Sequence, residues 1–150
     1  MVEKSRGKLP AMQKTVNYLH LLPDGGLPHM MDKTPFTAIL VADEDVSQMW
    51  LWDTSRWLVD AGCRVLLAWG KDAEVWSEAV DDAAAEALDV DLAEEQAVVT
   101  TSHEDEDLEE LFWFARHRAA HPALTLNKTL IVHVAAGPRR EELEAAWAAA

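Results

Sequence analysis

From Pro35 onward, the chain alternates between short apolar runs and amphipathic segments, which leaves few folds open to it. Each run holds five to eight mainly apolar residues, and apolar side chains recur at helical spacing in the segment that follows. Strands that are apolar on both faces are typical of parallel sheets covered by helices on both sides. The four runs are FTAILVA (36–42), CRVLLAW (63–69), AVVTT (97–101) and TLIVHVAA (129–136).

The amphipathic segments begin and end at residues that favour helix termini. Ser47 is placed to cap the first helix, and Gly62 stands where a glycine commonly follows a helix C-terminus. Ser102 is placed to cap the third helix, with the acidic stretch HEDED in its first turn. Gly137-Pro138 opens the last helix, with Pro138 at its first helical position. The sequence therefore predicts four strands that alternate with four helices.

This alternation predicts an α/β fold with a single three-layer domain over residues 35–150. Its four-stranded, mainly parallel sheet would be Rossmann-like or flavodoxin-like, and we expect the strand order 2-1-3-4. Residues 1–34 have no sustained period and contain several turn signals. We predict that they form a partly ordered N-terminal arm with a short helix through Met12–Leu22.

Charge is distributed unevenly along the chain. The net charge is −14, and because residues 1–34 carry +2, the remaining residues carry −16. Such an acidic body disfavours nucleic acid, whose binding depends on Lys and Arg. It could instead attract a basic protein partner or serve only solubility. We expect a protein partner or a small ligand, and a homodimer is compatible with these features.

The composition also indicates a compartment. The one cysteine, Cys63, excludes an internal disulfide, and no apolar stretch is long enough to cross a membrane. The first residues include basic side chains but lack the apolar core of a secretory signal. These features predict a cytoplasmic protein that does not bind membranes.

Polar side chains cluster where the predicted strands end. Open parallel sheets bind ligands at the carboxyl ends of their strands. The candidate residues for binding a ligand or partner at that edge are Asp43, Glu44, Trp69, Thr101, His103 and Glu104. His133, inside the last strand, is more typical of a hydrogen-bonded core histidine.

Common catalytic and cofactor motifs are absent from the sequence. No phosphate-binding P-loop, dinucleotide-binding glycine pattern or nucleophile elbow occurs, and no Cys or His pair has zinc spacing. Tryptophan is abundant, with seven residues, and Trp52 and Trp113 fall outside the apolar faces of their helices. Exposed tryptophans are often contact residues.

The stretch ILVADEDVSQMWLWDTSRWLVDAGCRVLLAWGKDAEVW (39–76) resembles the opening of a bacterial response-regulator receiver domain. The resemblance implies that Asp43 and Glu44 hold magnesium for phosphoryl transfer to an aspartate at the end of the third strand. The third strand here ends VVTTSHED and has no aspartate where it closes.

A second resemblance covers about two-thirds of the chain, from Pro35 to about Val134. Its segments WLVDAGC, TTSHEDEDLEELFWFARH and HPALTLNKTLIVHV are similar to a small family of bacterial proteins known only as a domain of unknown function. The family implies an α/β domain and brings no established activity.

These observations favour a non-enzymatic cytoplasmic module that binds through the carboxyl edge of its sheet, without a cofactor or a catalytic residue. One alternative is a metal-assisted hydrolase or phosphoryl-transfer enzyme. In that enzyme Asp43 and Glu44 would hold a divalent cation such as Mg²⁺, and His103 would act as general base. Another alternative is an acidic inhibitor or immunity-type protein whose helix faces carry the interface.

Overall fold

The computed structural model describes residues 15–30, 32–87 and 97–150, in which five strands and four helices form one three-layer arrangement. The α/β fold with a parallel sheet is confirmed. In chain order the elements are β1 (Thr15–Leu21), β2 (Phe36–Ala42), α1 (Gln48–Ala61), β3 (Cys63–Gly70), α2 (Ala73–Ala87), β4 (Val99–His103), α3 (Leu108–His117), β5 (Lys128–Val134) and α4 (Arg140–Ala149).

The sheet has five parallel strands in the order β1-β5-β2-β3-β4, rather than the four predicted. The expected strand order is wrong, since β2 lies between β3 and β5 instead of between β3 and β4. Apolar periodicity identifies buried strands but contains no information about their neighbours. The chain leaves β4 through α3, passes over β3 and β2, and pairs β5 on the far side of β2.

The additional strand, β1, comes from the segment predicted to be an arm. Thr15–Leu21 pairs in register with Lys128–Val134, so the predicted helix is wrong for the part of Met12–Leu22 that the structure describes. Residues 12–14 lie outside the described residues. Pairing with β5 extends the sheet and decides the conformation of this short mixed segment, as tertiary context often does.

Each face of the sheet has its own apolar core. On one face, Leu40 and Leu66 pack with Leu58 of α1 and Trp76 of α2. On the other face, Ile39, Val41 and Leu67 pack with Phe112 of α3 and with Leu143 and Trp147 of α4. All of these side chains are buried, which explains why β2 and β3 are apolar at almost every position.

The helix ends agree with the sequence signals at α1 but not at α3 or α4. The Ser47 hydroxyl accepts a hydrogen bond from Trp50 N, and Gly62 adopts a left-handed φ of 115° at the C-cap. The prediction that Ser102 caps the third helix is wrong, because Ser102 lies within β4 and pairs with Ala68. The helix instead begins after Asp107, whose N–H donates to Glu110. The prediction that Pro138 is the first residue of the last helix is wrong, because α4 begins at Arg140 after the N-cap Arg139.

The segment after β1 (residues 22–30, here called the strap) lies along α1. The indole N–H groups of Trp50 and Trp57 donate to the carbonyl oxygens of Gly25 and Pro28, at 2.7 and 2.8 Å. Asp24 accepts a hydrogen bond from Ser47 N at 3.0 Å, and its bonds with Ser47 lower the pKa of the Asp24 carboxyl. The strap thus joins the end of β1 to the start of α1.

Candidate functional site

The direction in which successive strands are added to the sheet reverses between β2 and β5. From β2 the chain crosses to β3 on one side, whereas β5 lies on the other side of β2 and leads to α4. At the carboxyl edge of the sheet, one residue from each strand occupies the same register row. Across the sheet the row reads His20, His133, Val41, Trp69 and His103.

A hydrogen-bonded network centres on His133, which is fully buried. Its Nε2 lies 2.6 Å from Asp43 Oδ2, and its Nδ1 lies 2.6 Å from the Tyr18 hydroxyl. The same Asp43 oxygen accepts a hydrogen bond of 2.8 Å from Arg139 Nη1. These contacts join β1, β5, the end of β2 and the start of α4.

Donors and acceptors in this network can be matched throughout. The Tyr18 oxygen accepts a hydrogen bond of 3.0 Å from the backbone N–H of Arg139. Its own hydroxyl proton is then available to His133 Nδ1, in which case Nε2 carries the ring proton and donates it to Asp43. A buried polar network that satisfies its members holds its elements in a single arrangement.

Arg139 also forms a two-point contact with Glu142. Its Nε and Nη2 donate to the two carboxylate oxygens at 3.0 and 2.6 Å, the fork geometry typical of arginine with a carboxylate. The bonds with Glu142, together with Asp43, raise the pKa of Arg139, and the same contact lowers the pKa of Glu142. The guanidinium is therefore held between two acids at the start of α4.

A second cluster forms at the end of β4, around the buried His103. Its Nε2 lies 2.7 Å from the Thr101 hydroxyl, and its ring contacts Phe114 of α3. Nδ1 is 3.1 Å from Glu106 Oε1, yet the alignment is too poor for a hydrogen bond, so the contact is an ion pair only when His103 is protonated. The indole N–H of Trp69 donates to Glu106 O at 2.7 Å.

Residues 16–150 match the family model described as a domain of unknown function, DUF7684. The chain belongs to this family. The match confirms the resemblance to a family of unknown function and gives no support to the resemblance to receiver domains. No curated protein and no solved structure matches the chain significantly. In the part of this DUF7684 domain that the structure describes, no helix is long and apolar enough to cross a bilayer.

The six site residues predicted for this DUF7684 domain lie at one edge but in separate groups. Trp69, Thr101 and His103 belong to the second cluster, whereas Asp43 belongs to the His133 network. Because β3 lies between β2 and β4, Asp43 and His103 belong to strand ends that are about 10 Å apart. Glu44 is exposed, and Glu104 accepts a hydrogen bond of 3.2 Å from Glu74 N at the start of α2.

Tyr18 and His20 are the residues at this edge that the sequence interpretation missed. Both belong to β1, and His20 Nε2 donates to Ala135 O at 2.7 Å. The alternation of Tyr18, His20 and the apolar Leu19 and Leu21 was the available signal. His133 was interpreted as a hydrogen-bonded core histidine, but its contact with Asp43 and the contact of Arg139 with the same carboxylate were not predicted.

The arrangement constrains which chemistry Asp43 can perform. Its Oδ2 already accepts from His133 and Arg139, so a cation bound there would have to compete with a guanidinium. Within residues 15–30, 32–87 and 97–150, no group of three or more metal-ligating side chains is assembled. The side chains of Asp43 and His133 are held by hydrogen bonds inside the protein rather than directed at solvent. This arrangement is more typical of a rigid binding surface than of a site that transfers protons.

Proposed function

We propose that this protein is a non-enzymatic cytoplasmic binding module whose ligand, a small molecule or a partner segment, contacts the carboxyl edge of the sheet. The observation that carries the proposal is the row of His20, His133, Val41, Trp69 and His103 across five strand ends. Glu44 and Glu104 stand at the rim of this edge and are exposed, so a ligand can reach Glu44 and the Glu104 oxygen that does not accept from Glu74 N.

The strand order supports this edge as the binding edge. Counted from Phe36, the strands follow the order 3-2-1-4, which is the order of the first four strands of a Rossmann sheet, and we propose a Rossmann-like domain on that basis. In open α/β sheets, ligands bind at the carboxyl ends of the strands where the strand order reverses. Here the reversal lies between β2 and β5, next to Asp43.

Binding without catalysis is favoured by the fixed partners of the titratable groups. A general base needs access to a substrate proton, whereas His133 is fully buried between Tyr18 and Asp43. His103 is also buried and lies against Thr101 and Phe114. These contacts keep the edge rigid, and a preformed site loses less entropy when it binds.

A fragment screen by nuclear magnetic resonance tests the proposal. The ¹⁵N-labelled full chain would be mixed with small-molecule fragments, and amide shifts would be mapped along the sequence. We expect the hits to shift residues 43–45, 70–72, 103–107 and 135–139 and to be recovered chemically unchanged. A Glu44→Lys/Glu104→Lys variant should lose acid-dependent hits, whereas Asp82→Lys/Glu86→Lys, which makes the same charge change at two exposed acids of α2 away from this edge, should keep them.

Hits that perturb only the helix faces, or no hits at all, would remove the carboxyl-edge proposal. Conversion of a fragment to a product would overturn its non-enzymatic part. Calorimetry with Mg²⁺ and Mn²⁺ addresses the metal-assisted alternative, because micromolar binding that is lost in Asp43→Asn would favour an enzyme. We expect no such binding, since Arg139 occupies the Asp43 carboxylate.

A further inference from the structure

A groove runs between α1 and α2 on the outer surface of their layer, away from the carboxyl edge. The two helices contact each other, and the space between them includes a cavity of about 460 Å³ that continues into one of about 290 Å³. Both cavities are bordered by Arg56, Ala83 and Glu86. The His133 network and the His103 cluster are not part of this surface.

The groove combines a small-residue floor with aromatic walls. Ala79 and Ala83 of α2 leave space where larger side chains would fill the gap between the helices. Trp52 and Trp57 of α1 border this space, and Trp52 is 46% exposed. A half-exposed tryptophan beside a depression is the kind of side chain that dominates binding energy in protein interfaces.

The rim of the groove is acidic. Asp53 and Asp60 lie on the α1 side, where Arg56 and Lys33 pair with them at 2.8 and 3.4 Å. On the α2 side, Asp82 and Glu86 are exposed and form no ion pair with any described residue. A ligand with positive charges could therefore pair with Asp82 and Glu86 without displacing a partner among the residues that the structure describes.

We propose that this groove, here called the α1–α2 groove, binds an amphipathic basic helix of a partner protein. From Trp52 to Asp60 the groove extends about 12 Å, and the apolar positions i, i+3, i+4 and i+7 of a helix span about 10 Å. Apolar side chains of the partner would contact Trp52 and Ala83, and its Lys or Arg residues would meet Asp82 and Glu86. The net charge of −14 attracts a basic partner at long range.

A designed peptide tests this surface directly, whichever protein supplies the natural helix. The probe is a labelled helix of about 16 residues with Leu at i, i+3, i+4 and i+7 and Lys elsewhere, and its binding is followed by fluorescence anisotropy. Two control peptides replace Lys with Glu or Leu with Ser. We expect binding of the Leu/Lys peptide and at least about tenfold weaker binding of each control, because charge and apolar contact are both required.

Matched protein variants locate the binding. Asp82→Lys/Glu86→Lys should weaken the peptide at least about tenfold, whereas Glu44→Lys/Asp45→Lys, with the same charge change at the carboxyl edge, should stay within about twofold. Trp52→Ala should also cost about tenfold, unlike Trp113→Ala, which removes an equally exposed tryptophan (46%) from α3.

Three outcomes would overturn the proposal of the α1–α2 groove. These are an absence of peptide binding, equal loss in the two charge variants, and equal loss in the two tryptophan variants. The second outcome would mean unspecific attraction by an acidic surface. Each outcome leaves the carboxyl-edge function untouched, because the fragment screen reports on different residues.

Discussion

The carboxylate of Asp43 and the imidazole of His133 lie 2.6 Å apart, although 90 residues separate them in the chain. Asp43 follows β2 and His133 belongs to β5, so the contact exists only because these two strands are neighbours. Arg139 and Tyr18 extend the contact to α4 and β1. Removing a member of this network should therefore affect the stability of the whole sheet.

We expect Asp43→Ala to lower the free energy of unfolding by about 1–3 kcal/mol, because it leaves the buried His133 Nε2 without a hydrogen-bond partner. Urea denaturation measures this change. Asp53→Ala removes an exposed acid that pairs with Arg56 and should cost no more than about 0.5 kcal/mol. Equal costs for the two variants would contradict the structural role of the network.

Tyr18→Phe should cost about 1–2 kcal/mol, since it removes a single hydroxyl that contacts both His133 Nδ1 and the Arg139 N–H. In the double variant with Asp43→Ala, the loss should be smaller than the sum of the two single losses, because both changes disturb the same histidine. Strict additivity would mean that Tyr18 and Asp43 act independently.

Gly70→Ala should destabilise the protein by about 2–4 kcal/mol. Gly70 has a left-handed φ of 98°, and an added Cβ would overlap the carbonyl oxygen of Ala42 on the neighbouring strand. Gly137→Ala is the matched control, because a Cβ there meets no atom within 4 Å, and its stability should change by less than about 1 kcal/mol. Thermal unfolding of both variants compares the two positions.

Cys63 should be unreactive in the native protein. Burial raises the pKa of its thiol to about 12, and the side chain has no exposed surface. At pH 8 we expect an aromatic disulfide reagent to react on the order of a thousandfold more slowly than in urea, because reaction requires opening of the fold. Comparable rates in buffer and urea would show that β3 is accessible.

The same pKa predicts an alkaline loss of stability. The pKa of the Cys63 thiol is raised in the native protein from its ordinary value of 9.0. Above pH 9.0 the unfolded thiol therefore ionises while the native thiol stays neutral. The contribution of Cys63 is therefore complete below pH 9.0 and is lost as the pH rises toward about 12. Between pH 9.0 and about 12, the free energy of unfolding should fall less steeply with pH in Cys63→Ala than in the parent protein. This is expected even though the variant is less stable at neutral pH.

Asp24→Asn should destabilise the contact between the strap and α1 at pH values where the Asp24 carboxylate is charged, and not in acid. Hydrogen bonds from Ser47 lower the pKa of Asp24 below its ordinary value of 3.8. The stability from this carboxylate is thus present above pH 3.8 and is lost as the pH falls through the lower native pKa. Asn tolerates the left-handed φ of 59° at this position, so the backbone is preserved.

Melting temperatures of the two proteins at pH 6 and near pH 3 check the Asp24 prediction. The parent chain should melt higher at pH 6, and the difference should shrink in acid. A difference that is the same at both pH values would assign the effect to packing rather than to the charge of Asp24.

Much of the fold could be predicted because segments that are buried in the sheet consist mainly of apolar residues. β2 and β3 are covered on both faces, so nearly every residue in Phe36–Ala42 is apolar, and Gly62 marks the end of α1. β1 could not be predicted in the same way. Its segment mixes polar and apolar residues, and its pairing partner begins more than 100 residues later.

The candidate site was predictable only to the level of the edge. Each strand end identifies its own polar residues, but contacts between them depend on strand order, which local patterns do not specify. The expected order would have separated Asp43 from His133, and without β1 there was no place for Tyr18. Ser102 illustrates a local ambiguity, because a serine before an acidic stretch suits a helix cap as well as the end of β4.

Among the five strands that the structure describes, β1 occupies one outer position of the sheet and pairs with β5 alone. In a shortened protein that begins at Pro35, the seven residues Lys128–Val134 would become an edge strand whose backbone N–H and C=O groups are unpaired on one side. Exposed edge strands pair with strands of other molecules, and this pairing leads to self-association. A recombinant version of this domain therefore has to include β1 from Thr15 onward. Without β1 we expect the protein to aggregate, so that its binding could not be measured.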